Sequence, residues 1–225
     1  MKKNAGEKAV EWIEDGMIVG LGTGSTVKYT IEKLGERIRE GLNIKAIPSS
    51  VQTKRLAEKI GIPLIDLTED ITINVTVDGA DEVDSNLFLI KGGGGALLRE
   101  KIIAYHSDKV IIVVDESKIV KALGIGFPLP VEVAKFGWKA TKKAIESLGC
   151  STELRQIMNE VYLTDNANYL LDCDFDHIEE PEVLNESLLS IPGVIEHGLF
   201  INLVDEVIVG SRQGTITLER EALQV

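Results

Sequence analysis

Met17-Ile18-Val19-Gly20-Leu21-Gly22-Thr23-Gly24-Ser25-Thr26 runs from apolar residues through spaced glycines into two hydroxyls, and its reading decides the fold. Met17 to Leu21 reads as a buried strand. From Ser25 to Arg39 the period changes, and Val27, Ile31, Leu34 and Ile38 recur on one helical face. A strand that turns on glycines into a helix is the first half of a βα unit. The residues that follow repeat the alternation. Ile44 to Ile47 reads as a strand and Gln52 to Ile60 as a helix closed by Gly61. Ile62 to Ile65, Ile71 to Val77 and Leu87 to Ile90 read as strands. Ala96 to His106 reads as a helix, and Val110 to Val114 as a strand. Alternation of this kind predicts an α/β fold: a mostly parallel, Rossmann-like sheet with helices on both faces.

The pattern breaks at Phe127-Pro128-Leu129-Pro130, where two prolines predict a stiff connection. Beyond it come a strand (Val131 to Phe136), a helix (Trp138 to Leu148) and two strands flanking Asp165-Asn166-Ala167-Asn168. A helix opened by Pro181 and ending at Leu189, and a strand from Val194 to Phe200, complete the segment. This order approaches βαββαβ and predicts a small α+β ferredoxin-like domain over 127–200. Residues 1–126 and 201–225 are expected to form the Rossmann-like domain, with Glu206 to Val209 returning to its sheet.

The 225 residues suffice for a full core, and 44% hydrophobic with 27% charged residues is globular composition. A formal net charge of −12 repels polyanions, so neither nucleic acid nor an anionic membrane is an expected partner. Any anion must be held by local N–H groups, hydroxyls and a few lysines. Cys150 and Cys173 are far apart in sequence, and His106, His177 and His197 are scattered. The expectation is therefore a reducing, cytoplasmic setting with no disulfide framework and no zinc. No apolar run reaches the length of a membrane span or a signal peptide.

Four segments carry candidate chemistry, each expected at the end of a strand of the first domain, where open α/β sheets bind ligands. Thr23, Gly24, Ser25 and Thr26 form a turn entering a helix N-terminus, suited to an anion. The plainer reading is a tight turn with Ser25 as N-cap. No lysine follows Gly24, so this is not a P-loop, and the spacing fails the dinucleotide fingerprint. In Asp78-Gly79-Ala80-Asp81-Glu82, two carboxylates two small residues apart suit an acid–base pair, a Mg²⁺ site or merely a solvated acidic turn. Lys91-Gly92-Gly93-Gly94-Gly95 places a lysine before four glycines whose conformational cost implies close approach to a ligand. Lys91 is suited to an oxyanion. Glu100, early in the following helix, taken alone reads as a solvated charge favoured by the helix dipole. Lys118 in Asp115-Glu116-Ser117-Lys118 reads alone as an exposed loop lysine.

Taken in order, these motifs resemble ribose-5-phosphate isomerase of type A. Leu98-Arg99-Glu100-Lys101-Ile102, Phe127 to Val133, Thr164-Asp165-Asn166, Pro192-Gly193-Val194 and Gly198-Leu199-Phe200 extend the likeness over nearly the whole chain. Gly95 departs, since alanine is expected there, and the departure is expected to matter little. The resemblance implies interconversion of D-ribose 5-phosphate and D-ribulose 5-phosphate in the pentose phosphate pathway, with no metal and no cofactor. It implies that Thr23 to Thr26, Asp78 to Asp81, Lys91 to Gly94 and Lys118 contact substrate, with Glu100 as general base. Through a cis-enediolate, Asp81 would shuttle protons between oxygens, Lys91 would stabilise the charge, and Asp78 would assist ring opening or position a hydroxyl. It also implies a homodimer or homotetramer, with the second domain in that role. Three other classes remain to be weighed. A sugar-phosphate sensor would bind without turnover. A deaminase or coenzyme A transferase would use the same fold for other chemistry. A dehydrogenase would need the nucleotide fingerprint this loop lacks.

Overall fold

The computed structural model describes residues 1–220. Residues 221–225, the end of the segment expected to rejoin the first domain, lie outside the described residues. The chain forms two compact units. The first comprises 1–80, 99–118 and the segment from 203 onward; the second comprises 81–98 and 119–202.

The first unit is built on a six-stranded sheet. Its order is Thr215–Glu219, Glu206–Gly210, Val110–Asp115, Val75–Asp78, Ile18–Leu21 and Lys45–Pro48. The last five run parallel, and Thr215–Glu219 closes the edge antiparallel to Glu206–Gly210. Glu206–Gly210 does return to this sheet, in register with Ile111 to Asp115. Side chains alternate across the strands. Val19, Leu21, Val75, Val77, Ile111 and Val113 face a core shared with Ala5, Ala9, Val27, Ile31 and Leu34. Those partners belong to the N-terminal helix Lys2–Lys8, the 3-10 turn after it and the helix Val27–Arg39. Ile18, Ile47 and Ile73 face the other way and pack with Ile103 of the helix Leu97–Tyr105. Helices therefore cover both faces, as the near-continuous apolar strands require. The expected strand at Ile62–Ile65 is reduced to one bridge between Ala46 and Leu64, and the strand expected from Ile71 begins at Val75.

In the second unit, Leu129–Val133, the helix Trp138–Glu146, Ser151–Leu154, Tyr169–Asp174, the helix Pro181–Leu189 and Val194–His197 follow the βαββαβ order. The sheet is antiparallel, in the order fourth, first, third, second, which is the ferredoxin-like arrangement. Leu129, Val131, Val133, Leu171 and Cys173 face the core with Ile145 and Leu188 of the two helices. The opposite face carries Pro130, Glu132, Leu170 and Asp172. Glu132 there is fully buried, and its Oε1 accepts from Thr164 Oγ1 at 2.9 Å, Asn168 Nδ2 at 2.9 Å and Asn166 Nδ2 at 3.3 Å. Three donors offset the burial of that one carboxylate oxygen.

Several sequence expectations shift in this unit. The strand expected at Val131 to Phe136 is Leu129–Val133, so Pro130 lies within it. Pro130 sits beyond the last rung shared with Val194–His197, which ends at Val131. The single strand expected at Val194 to Phe200 splits at Gly198. Leu199–Phe200 joins Leu89–Ile90 and Glu82–Val83 in a separate three-stranded antiparallel sheet. The strand at Leu87 to Ile90 is thus not part of the parallel sheet. Residues 81–98 and 119–126, which the sequence reading joined to the Rossmann-like domain, group by contact with the second unit. The pairing of Leu89–Ile90 with Leu199–Phe200 and the bridge between Val83 and Ile119 account for this.

Candidate active site

Within the first unit the Gly20 to Thr26 turn leaves the C-terminal end of Ile18–Leu21 beside Asp78, which ends its neighbour Val75–Asp78. Asp78 is buried, and its Oδ1 accepts from the N–H of Thr23 at 3.0 Å and its own neighbour Gly79 at 2.7 Å. The two segments meet so closely that a Cβ at Gly22 would fall 2.0 Å from Asp78 Oδ1 and 2.6 Å from Asp78 Cα. Only glycine fits there. Thr23 points its hydroxyl into a cluster made by Ser50 Oγ at 2.7 Å, Ser49 Oγ at 2.8 Å and Thr53 Oγ1 at 3.2 Å. Thr53 Oγ1 in turn donates to Gly22 O at 2.7 Å, and Ser50 caps the helix Val51–Ile60 by accepting from Thr53 N. Ser49 and Ser50 belong to none of the four candidate segments of the sequence. Their work is to lock the turn.

The helix after the turn begins at Val27, not Ser25, and Ser25 is not its N-cap. Ser25 is exposed and its Oγ accepts from Lys2 Nζ at 2.9 Å. Lys2 Nζ also lies 4.0 Å from Asp115 Oδ2, and the Ser117 N–H and hydroxyl both donate to Asp115 Oδ1. Burial pulls the Asp115 carboxyl upward, but the Ser117 bonds, then the Lys2 and Lys118 charges, outweigh it and hold the group below its ordinary value. Lys118 is half-buried in a 3-10 turn, Glu116–Lys118, rather than on an open loop. Ser25, Lys2 and Lys118 are thereby gathered round one acidic anchor. The position of Lys2 depends on how the N-terminal helix packs, which no motif of the sequence announces.

Glu100 stands in the first turn of Leu97–Tyr105 and is 4% exposed. This corrects the isolated reading of a solvated charge: a carboxylate removed from water costs several kcal/mol unless the site uses or pairs it.

The second unit holds the remaining candidates. Asp81 is half-buried, its N–H donates to Ile90 O at 2.8 Å, and its Oδ2 accepts from Gly93 N at 2.7 Å. Lys91 is 2% exposed, its N–H donates to Gly198 O at 2.8 Å, and its Nζ lies 5.4 Å from the centroid of the Phe200 ring. The switch of sheets at Gly198 is what brings this carbonyl and this ring to Lys91. Gly92 is buried, whereas Gly93 and Gly94 are exposed. Gly95 has a φ of +75°, and a Cβ there would lie 2.2 Å from Tyr162 Oη. An alanine at this position would need the Tyr162 ring to shift and would hold a backbone conformation that side chains disfavour. Among the described residues, no group of three or more His, Cys, Asp or Glu is placed to hold a metal ion, and no helix is long and apolar enough to cross a membrane.

Comparison with known proteins puts this arrangement in context. Residues 45–214 match the family model for ribose 5-phosphate isomerase A (phosphoriboisomerase A). The ribose-5-phosphate isomerase A of Listeria innocua is 54% identical over 218 residues, covering 96% of this chain and 97% of the relative. That of Gloeobacter violaceus is 49% identical, covering 99% and 97%. The structure of ribose 5-phosphate isomerase from Plasmodium falciparum superposes with a TM-score of 0.95 at 36% identity, covering 98% of both chains. A D-ribose-5-phosphate isomerase solved in complex with phospho-erythronic acid gives 0.94 at 45% identity, covering 97% of both. By sequence along nearly its full length and by fold, the chain belongs to the ribose 5-phosphate isomerase A family.

Proposed function

We propose that this chain interconverts D-ribose 5-phosphate and D-ribulose 5-phosphate, in the non-oxidative branch of the pentose phosphate pathway, by carboxylate acid–base catalysis without metal or redox cofactor. The observation that carries the proposal is Glu100, a carboxylate buried in the first turn of a helix, in a chain of this family. An aldose must open, lose its C2 proton and regain one at C1, which needs a base beside a carbonyl whose oxygen is stabilised. Glu100 takes the C2 proton and returns it at C1. Lys91 stabilises the cis-enediolate, and Asp81 moves a proton between its two oxygens. Asp78, fixed by two N–H donors, assists ring opening or positions a hydroxyl. Thr23, Gly24, Ser25, Thr26, Gly79, Ala80, Gly92, Gly93, Gly94 and Lys118 contact substrate, with the phosphate held at Ser25, Thr26, Lys118 and Lys2. Phospho-erythronic acid, bound by a relative, suits such a site chemically: it joins a phosphate to a planar carboxylate whose two oxygens stand in for those of the enediolate.

The test is an assay with ribose 5-phosphate in excess EDTA. Ribulose 5-phosphate is expected at the same rate with and without chelator, and loss of turnover with EDTA would mean that a metal takes part. Binding without turnover would favour the sensor reading.

We further propose a cytoplasmic homodimer or homotetramer, assembled through the ferredoxin-like domain at 127–200. Phe136 is 96% exposed, and Ile157, Met158, Val161 and Leu163 are all exposed on and beside the hairpin Gln156–Val161. Grouped apolar side chains facing water mark contact surfaces. Light scattering of protein purified from the soluble extract is expected to give a dimer or tetramer; a monomer at micromolar concentration would sink this proposal.

A further inference from the structure

The run from Gly92 to Gly95 has no side chains with which to hold itself, and four glycines together are the least restrained backbone a chain can have. Yet the N–H of Gly93 must stay at 2.7 Å from the Asp81 carboxylate, and Lys91 must stay at the head of the loop. The restraint comes from a residue that neither motif nor spacing singled out. Arg155 follows Ser151–Leu154, and its Nη1 donates to Gly92 O at 2.8 Å and to Gly93 O at 3.2 Å. Its Nε donates to Asp172 Oδ2 at 2.9 Å, and its Nη2 to Asp172 Oδ1.

This is a two-pronged ion pair with a further edge of the guanidinium turned onto the loop. Asp172 is itself rigid, paired across the sheet with Pro130 on one side and Glu153 on the other. Tyr162 completes the frame: its N–H donates to Arg155 O at 2.9 Å and its hydroxyl to Gly94 O at 3.4 Å. An ion pair needed only for stability has no reason to spend its remaining N–H donors on two successive carbonyls of a glycine loop. The planar fork is also what lets one side chain reach both targets, which lysine does not do.

We propose that Arg155, clamped by Asp172, is a positioning residue for the reaction. It fixes the Gly92 and Gly93 carbonyls, so that the Gly93 N–H holds Asp81 and the loop holds Lys91 in working geometry. This rests on the isomerase reading above, and Arg155 itself touches no substrate.

The experiment compares the full-length parent with Arg155→Ala, Arg155→Lys and Asp172→Asn, by steady-state isomerisation of ribose 5-phosphate, thermal melting and amide exchange over 91–98. Arg155→Ala is expected to lose roughly 100-fold in kcat, the scale of a misplaced catalytic group. Its KM should move by less than about threefold, because ground-state binding is kept. Millimolar guanidinium is expected to restore part of the rate in a saturable way, while equal sodium chloride does not. Arg155→Lys stays impaired, and Asp172→Asn shows the same kcat-selective loss to a smaller extent. A kcat for Arg155→Ala within about threefold of the parent, a rise in KM alone, or a loss that guanidinium leaves untouched in a variant melting with the parent would each overturn the proposal. Should Arg155→Ala not fold, Asp172→Asn decides, and parental kinetics there overturn it. An inactive parent means that the isomerase reading has failed. Amide exchange still tests the clamp in that case, and unchanged exchange of Gly92 to Gly95 in a folded Arg155→Ala refutes it.

Discussion

Glu100→Gln is expected to lower kcat by about 10³-fold, within the range of a lost general base, or about 4 kcal/mol of barrier. Glutamine keeps the shape of the side chain in a site where Glu100 is 4% exposed, but its amide takes up no proton from carbon. Thermal melting is expected to show a cooperatively folded variant, which separates the lost chemistry from a lost fold. Affinity for phospho-erythronic acid should change by less than about threefold, since a base that acts on the transition state adds little to ground-state binding. The decisive readout is loss of deuterium from the C2 position of labelled ribose 5-phosphate. Wash-out continuing within about tenfold of the parent rate would remove Glu100 as the base.

Lys91→Met is expected to reduce kcat by about 10² to 10³-fold, the usual effect of deleting one donor to a developing oxyanion. Methionine has nearly the length of the lysine stem, and it removes the ammonium that lies 5.4 Å from the Phe200 ring centroid. The backbone bond from residue 91 to Gly198 O is untouched by the change. Thermal melting is expected to show a cooperatively folded variant, so that the loss of rate reports the missing charge and not a loss of fold. The phospho-erythronic acid complex should weaken by about tenfold or more, its carboxylate having lost a charge partner. Both losses together mark Lys91 as an electrostatic contact. A kcat within about threefold of the parent would assign that role elsewhere.

The sequence announced the parallel sheet because its signals are local. Val27, Ile31 and Leu34 recur with the helical period and are all buried, and the turn at Gly22 has no room for a side chain. Sheet membership is not local. Leu89–Ile90 looks like any apolar strand, and only its pairing with Leu199–Phe200 takes it out of the parallel sheet. The break at Gly198 is invisible for the same reason, since it answers to Pro130 and Lys91. Among the proposed site residues, Thr23 to Thr26, Asp78 and Lys91 could be picked out because glycines and strand ends flag them. Glu100 could be named only through the family pattern, because its burial depends on packing that composition does not encode. Ser50, Thr53 and Arg155 escaped because their meaning lies in hydrogen bonds to Gly22, Thr23, Gly92 and Gly93, far off in sequence.

Val110–Asp115 lies between Val75–Asp78 and Glu206–Gly210 in the finished sheet. During synthesis on the ribosome its second neighbour arrives late, since residues 116–205 must be made first. At typical elongation rates that is a wait of roughly ten seconds. Throughout it, Val110-Ile111-Ile112-Val113-Val114, five uncharged β-branched residues between Lys109 and Asp115, is an uncovered edge of a pattern prone to pair with another chain. A nascent chain halted near residue 202 would carry every proposed substrate contact and still be a seed for aggregation. Glu206–Gly210 carries no proposed substrate contact; its part is to cover the edge that Val110–Asp115 would otherwise leave open.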